Sequence, residues 1–383
     1  MIKILSVDDE VDLEVLLTQY FRRKIRKGEY EFYFAHNGLE GLQQLLAHPD
    51  IDIVLSDINM PEMDGLTMLA KVNEMRNPAL KVIMISAYGD MGNIRQAMNN
   101  GAFDFATKPI DLDDLQKSID NAQKEIEFVR ESQKEHAQLE DLESELRVAA
   151  EIQRAILPQG FENLAPGYDL AARMEPAKNV GGDFYDFFKI DDTHLGFVMA
   201  DVSGKGVPAS LFMAVSRTLL KACGTRGGAS NEVVETVNNM LCRENIDGMF
   251  VTVFYGILNQ STGVIDYTNA GHNPPYVLRA GGKLELLPAV GNLVLGALDG
   301  MPFRSAQVQL ASGDTFYAFT DGVTEAMNPE HEQYNESRLE ALLPALNGLP
   351  GADILERVRD EVKAWASTAE QSDDITQLSI KRL

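Results

Sequence analysis

Between residues 1 and 110, five polar side chains stand where apolar, strand-like runs end. Asp8 and Asp9 follow the run 2–7, Asp57 ends 51–56, Ser86 ends 81–86, and Lys108 follows 103–107. In a doubly wound parallel sheet the carboxyl ends of the strands share one edge, so all five would meet there. Three crowded carboxylates repel one another unless a cation neutralises them, and a set of oxygen ligands suits Mg²⁺. Asp57 can then attack a phosphoryl group, Lys108 can pair with its oxygens, and Ser86 can hydrogen-bond them. Acidic loop ends on a solvated face would account for one or two of these residues, not for five at matched strand ends.

A second set of acids occupies the C-terminal half. Asp183 follows Val180-Gly181-Gly182, and Asp186 lies three residues on. Asp201 ends the apolar run 195–200, Asp321 ends 316–320 and precedes Gly322, and Asp373-Asp374 precede a final apolar run. An acid at the tip of a buried strand is costly unless a cation or several donors meet it. Several such acids without a His/Cys cluster suggest two Mg²⁺ or Mn²⁺ ions, able to stabilise in-line displacement at phosphorus. Taken singly, Asp321-Gly322 reads as a turn, Asp373-Asp374 as a strand entry and Asp186 as a turn or outlying acid. Ser203-Gly204-Lys205-Gly206 lacks the upstream glycine and the Ser/Thr of a phosphate loop. His272, within Asn269–Pro275, reads as the brace of a Gly/Pro-rich turn.

These residues must be positioned by three segments. Residues 1–110 alternate strands (2–7, 30–35, 51–56, 81–86, 103–107) with helices (12–26, 38–47, 64–75, 91–100), the pattern of a five-stranded α/β flavodoxin-like sheet. From Leu112 to Leu157 there is neither Gly nor Pro, and apolar residues recur at spacings of three and four. That predicts one helix of about 70 Å with a heptad seam. The seam runs Leu112, Leu115, Ile119, Ala122, Ile126, Val129, then Leu139, Leu142, Leu146, Ala149 and Ile156, with a one-residue slip near Gln133 and His136. It predicts a parallel homodimer through residues 112–156. Residues 158–383 read as α+β, with strands at 168–174, 184–190, 194–202, 250–258, 264–269, 313–320 and 374–381. Helices are expected at 207–222, 231–244, 336–346 and 352–366.

Composition narrows the classes. Of 383 residues, 34 are basic and 58 acidic, a net charge of −24, which argues against binding nucleic acid or anionic membranes. Two cysteines, no signal-like N-terminal stretch and no long uncharged apolar run predict a cytoplasmic chain.

Residues 1–120 resemble the receiver domain of two-component response regulators. The matching stretches are Val7-Asp8-Asp9-Glu10, Ser56-Asp57-Ile58-Asn59-Met60-Pro61, Asp64-Gly65, Ser86-Ala87, Gly101-Ala102-Phe103-Asp104-Phe105 and Thr107-Lys108-Pro109. The resemblance implies that a sensor histidine kinase phosphorylates Asp57. It also implies that the Asn59 carbonyl joins Asp8, Asp9 and Asp57 on Mg²⁺, and that Ser86 and Phe105 form a switch pair.

Residues from about Ala149 onward resemble the metal-dependent PPM (protein phosphatase 2C-like) phosphatases, in the bacterial branch of the stage II sporulation phosphatase. The match lies in Ala150–Pro158, Gly181–Asp186, Ala200–Gly206, Met249–Thr252, Thr320–Ala326 and Asp373–Thr376. It implies a four-layer αββα sandwich over 158–383 in which Asp201 bridges two Mn²⁺ or Mg²⁺ ions. Asp183 and the Val202 carbonyl would serve one ion, Asp321 and Asp373 the other, with Asp374 the lesser candidate. Substrates would be phosphoserine or phosphothreonine proteins such as an anti-sigma-factor antagonist, placing the chain in stress or sigma-factor signalling. No arginine stands where some members grip phosphate, leaving Lys205 or Lys178 to help. Phosphorylation of Asp57 would act on the enzyme through the helix 111–157. The competing reading is an adaptor on a decayed phosphatase fold, but such adaptors lose metal ligands and these acids are present. A DNA-binding regulator fits the acidity poorly.

Overall fold

The computed structural model describes residues 1–87, 90–161, 163–244 and 248–383. It divides into two compact units, Met1–Leu142 and Glu143–Leu383. The division falls inside the long helix rather than at its end.

In the first unit β1 (Ile2–Val7), β2 (Tyr30–Ala35), β3 (Ile53–Asp57), β4 (Lys81–Ala87) and β5 (Asp104–Lys108) form one parallel sheet in the order β2-β1-β3-β4-β5. The helices are α1 (Val11–Tyr20), α2 (Arg22–Arg26), α3 (Gly38–Ala47), α4 (Gly65–Glu74), α5 (Met91–Asn99) and the start of α6 (Leu112–Ile156). The helix expected over 12–26 breaks at Phe21, whose buried ring packs with Tyr30 and Phe32. Both sheet faces are covered, so the strands read as apolar runs.

Helix α6 is continuous from Leu112 to Ile156, but its apolar stripe has two destinations. Leu115, Ile119, Ala122 and Ile126 are fully buried beside Ile4, Ile53 and Ile83, with Leu112 and Val129 packed at the margin. That half of the expected dimer seam is receiver core: heptad spacing also matches the face of a helix lying on a sheet. Every residue from Glu131 to Glu143 is exposed. In the second unit Ala150, Gln153 and Leu157 are buried, while Ile152 is exposed and Ile156 half-buried, so the inward face is one residue out of phase with the expected seam.

The second unit contains two antiparallel sheets. One runs β13 (Ala306–Gln309), β10 (Val264–Ala270), β9 (Val251–Asn259), β8 (His194–Val202), β7 (Phe184–Lys189). The other runs β12 (Leu284–Leu286), β11 (Tyr276–Leu278), β14 (Thr315–Phe319), β15 (Ile375–Arg382), β6 (Tyr168–Glu175). Phe316 of the second sheet packs on Phe197 and Phe254 of the first, with centroids 5.3 and 5.4 Å apart. Helices α7 (Val207–Gly224) and α8 (Ser230–Glu244) flank the first sheet, and α11 (Gly351–Ala366) the second, giving the αββα sandwich. Two short helices, α9 (Asp321–Thr324) and α10 (Glu336–Leu342), lie between β14 and α11. Among the described residues no helix is long and apolar enough to cross a membrane.

Candidate functional site

The parallel sheet brings the first set together as its topology requires. Asp8 and Asp57 are buried, Asp9 is exposed, and one carboxylate oxygen from each lies within 4.8 Å of the others. Lys108 Nζ reaches Asp57 Oδ2 at 2.7 Å, Asp8 Oδ2 at 3.0 Å and Glu10 Oε1 at 3.0 Å. Burial opposes its charge, but hydrogen bonds to Asp57, Glu10 and Asp8 outweigh it and hold the ammonium above the ordinary lysine range. Burial pushes the Asp8 carboxyl up, opposed by the Glu10 amide and Lys108. Two buried carboxylates and one exposed are an all-oxygen set that fits a hard divalent cation with positions left for water and phosphate. Ser86 is fully buried, and its Oγ has no hydrogen-bond partner among the described residues. Asn59 is exposed, with its amide 3.4 Å from Asp57 Oδ1. The Phe105 ring, 38% exposed, faces outward.

The second set converges where the sandwich strands end. Asp183 precedes β7, Asp201 lies near the end of β8, Asp321 opens α9 after β14, and Asp373 precedes β15. Asp183 is buried, and its carboxyl is pushed well up by desolvation and by the charges of Asp201 and Asp374. Asp201 is pushed up to about 7 by burial and the Asp321 charge, against a hydrogen bond with Asp183. Asp321 is raised by burial and by Asp373. This mutual repulsion, from oxygen donors alone, is what a hard cation relieves, so the residues fit the divalent ions expected there. Among the described residues, however, only Asp8, Asp9 and Asp57 approach as a closely grouped ligand triad. Lys205 fills part of the second set's charge deficit: its Nζ is 2.8 Å from Asp373 Oδ2 and donates to the Ser372 carbonyl. It is therefore engaged with the acids rather than free for phosphate, and Lys178 is exposed.

Close backbone approach makes the convergence possible. A Cβ on Gly322 would stand 2.0 Å from the Asp374 carbonyl oxygen. One on Gly182 would stand 2.9 Å from the Val202 carbonyl oxygen, which places that carbonyl beside the Asp183 loop.

Several supporting residues carry weak sequence signals. Asp374 is buried and accepts from the amides of Ala177 (2.8 Å), Gly182 (2.7 Å) and Asp183 (3.3 Å). Thr320 Oγ1 donates to Asp183 Oδ2 at 2.7 Å and accepts from the Thr376 amide at 3.0 Å. Asp186 is not in a turn: it is buried within β7 and paired with Arg217 of α7 at 2.8 Å. His272 is buried, with Nδ1 2.9 Å from Thr252 Oγ1, and burial lowers its pKa to about 3, so it is neutral. Its backbone exchanges two hydrogen bonds with the Asn269 side chain, bracing that turn.

Residues 4–120 match the response regulator receiver domain, and residues 191–383 match stage II sporulation protein E (SpoIIE). Protein IcfG of Synechocystis sp. is 31% identical over 62% of this chain and 41% of its own length. Phosphoserine phosphatase RsbU of Bacillus subtilis is 32% identical over 49% of this chain and 55% of its own. The chain thus spans about half the length of these curated relatives. The SiaA-PP2C domain of Pseudomonas aeruginosa, 22% identical with a TM-score of 0.58, covers 64% of this chain and 98% of its own, and shows the shared sandwich fold. With a receiver sheet ahead of a PP2C-type phosphatase domain whose match takes in half its length, the chain belongs to the SpoIIE family.

Proposed function

We propose that this chain is a response regulator in which phosphorylation of Asp57 by a sensor histidine kinase controls a metal-dependent phosphoprotein serine/threonine phosphatase. One observation carries the enzymatic reading: Asp183, Asp201, Asp321 and Asp373 come from distant parts of the sequence to the same strand ends, where burial and neighbouring carboxylates raise the pKa of Asp183, Asp201 and Asp321. Carboxylates crowded at strand ends with raised pKa values are the setting a catalytic cation site requires.

In the receiver, an Asp57 oxygen attacks the phosphorus of the kinase phosphohistidine as the nitrogen–phosphorus bond breaks. Asp8, Asp9, Asp57 and the Asn59 carbonyl would hold Mg²⁺, which supplies positive charge to the phosphoryl oxygens. Lys108, already beside Asp57 Oδ2, pairs with the phosphoryl oxygens. The unpartnered Ser86 hydroxyl donates to the phosphoryl group, and the outward Phe105 ring turns in behind it.

In the phosphatase domain Asp183, Asp201, the Val202 carbonyl, Asp321 and Asp373 would hold two Mn²⁺ or Mg²⁺ ions, with Asp183 and the Val202 carbonyl serving one, Asp321 and Asp373 the other, and Asp201 shared. When bound, such a pair supplies positive charge to the substrate phosphate and acidifies water for attack on phosphorus. Thr320 orients Asp183, and Asp374 fixes the backbone that carries it. The substrate is a phosphoserine or phosphothreonine protein, which the similarity to a phosphoserine phosphatase supports, and an anti-sigma-factor antagonist in stress signalling is the candidate. The chain acts in the cytoplasm as a homodimer whose helical contact is confined to the part of α6 outside the receiver core, around Leu139, Leu142, Leu146 and Ala149.

The test is release of phosphate from a phosphoserine-bearing antagonist protein in Mn²⁺, with and without beryllium fluoride on Asp57. Wild type is expected to be active, Asp201→Asn inactive, and the mimic to change the rate. Equal activity of wild type and Asp201→Asn refutes the site.

A further inference from the structure

The buried face of α6 in the second unit runs Ala150, Gln153, Leu157. Alanine and leucine suit such a face, whereas a glutamine amide there must find partners for both its ends. Gln153 finds them on one residue: Nε2 donates to the Gly181 carbonyl at 2.6 Å, and Oε1 accepts from the Gly181 amide at 3.1 Å. Its side chain thus pairs with the backbone as a neighbouring strand would. Gly181 cannot be held from the other side by bulk of its own, because a Cβ there would stand 2.3 Å from Asp374 Oδ2.

Two residues on is Asp183. Three of the groups that hold its loop are the Asp374 carboxylate on the Gly182 and Asp183 amides, the Thr320 hydroxyl on Asp183 Oδ2, and the Gln153 amide on Gly181. The first two stand beside the ends of β14 and β15, inside the sandwich. Gln153 alone of the three belongs to α6, the helix whose first turns are packed in the receiver core. A small turn or slide of α6 would break both bonds together, since both end on one side-chain amide.

We infer that Gln153 is a positioning residue for the phosphatase reaction, setting the placement of Asp183, and hence the hold on the cation Asp183 serves, according to where α6 lies. This rests on the proposed reading of Asp183 and Asp201 as metal ligands. Hydrogen-bond partners of ligating groups commonly change metal affinity roughly 10–100-fold when removed, and Gln153 acts one step further out, on Gly181 two residues before Asp183.

The test is direct Mn²⁺ binding to the full chain by electron paramagnetic resonance of free Mn²⁺, without substrate. The binding lost in Asp201→Asn defines the phosphatase contribution; if wild type and Asp201→Asn bind alike, the underlying reading fails. Given that contribution, Gln153→Met, which keeps the length of the side chain and removes both bonds, is expected to weaken it about tenfold. A loss of fivefold or more supports the inference; a smaller one overturns it, even where the thermal midpoint falls, because a merely structural brace would leave affinity unmoved. Should Gln153→Met not fold, Gln153→Asn, which withdraws the amide by one methylene, gives the same reading. If neither folds, Gln153 is scaffold and the inference fails.

Discussion

Replacing Arg217 by methionine tests whether the buried ion pair between α7 and β7 holds the phosphatase domain together. Arg217 Nη2 is 2.8 Å from Asp186 Oδ2, and the two side chains are 11% and 1% exposed. Removing one partner of such a pair leaves an uncompensated charge, at about 3–5 kcal/mol. Lys221 remains 3.6 Å from the same oxygen, which favours the lower end, about 3 kcal/mol. For a unit of this size that is a fall in thermal midpoint of about 6–12 °C. Trp365 is the single tryptophan, on α11 with Arg338 over its ring, so its fluorescence follows this unit alone. The loss should also depend on pH. Burial already raises the Asp186 carboxyl, while Arg217 and Lys221 pull it back down. Without Arg217 it rises further, so the folded variant keeps a proton that the unfolded chain gives up at lower pH. Stability of the variant is therefore lost as pH rises through the folded value and regained on acidification. The gap to wild type should narrow as pH falls through the variant's raised folded value. A midpoint within about 2 °C of wild type, or a gap that does not change with pH, would refute the reasoning.

Lys108→Met should abolish stable acetyl-phosphate labelling of Asp57 in Mg²⁺ while leaving the sheet intact, read by phosphoprotein electrophoresis and circular dichroism; wild-type labelling would count against the pocket. Mn²⁺ at a hundredfold its dissociation constant should raise the Trp365-monitored midpoint, since binding stabilises by about 2.7 kcal/mol. A metal-independent midpoint would argue that the acids do not bind it. Leu139→Asp with Leu142→Asp should shift sedimentation toward monomer without lowering either unit's midpoint, because both residues are more than half exposed. An unchanged association state would remove this stretch from the dimer contact.

Sequence periodicity located most elements to within a residue or two, because all three sheets bury most of their longer strands as apolar runs with polar ends. It missed β11, β12 and β13, which have only three or four residues each, too few for a periodic signal. It read α6 as a single seam because spacings of three and four cannot tell a partner helix from the helix's own sheet. The acids stood out because carboxylates at strand tips are costly and therefore informative. Their supports did not: Thr320 looks like any strand threonine, and Gln153 looks like the polar face of a charged helix. What distinguishes them is a partner more than a hundred residues away for Thr320 and a backbone peptide for Gln153, and neither leaves a local trace. Lys205, expected to help with phosphate, lies beside Asp373, a contact that no local pattern in the sequence announces.

The fully solvated stretch of α6 from Glu131 to Glu143 has an evolutionary consequence. No packing within the chain polices its length, so gaining or losing residues there costs the fold of either unit little, and only the proposed contact between copies constrains it. Each added residue nonetheless turns everything downstream by about 100° and advances it about 1.5 Å. Seven-residue indels nearly preserve phase, whereas single-residue ones scramble it. Lineages should therefore vary this stem in steps of about seven, and designers grafting a new sensor onto the phosphatase can tune signalling by the angular setting of the splice.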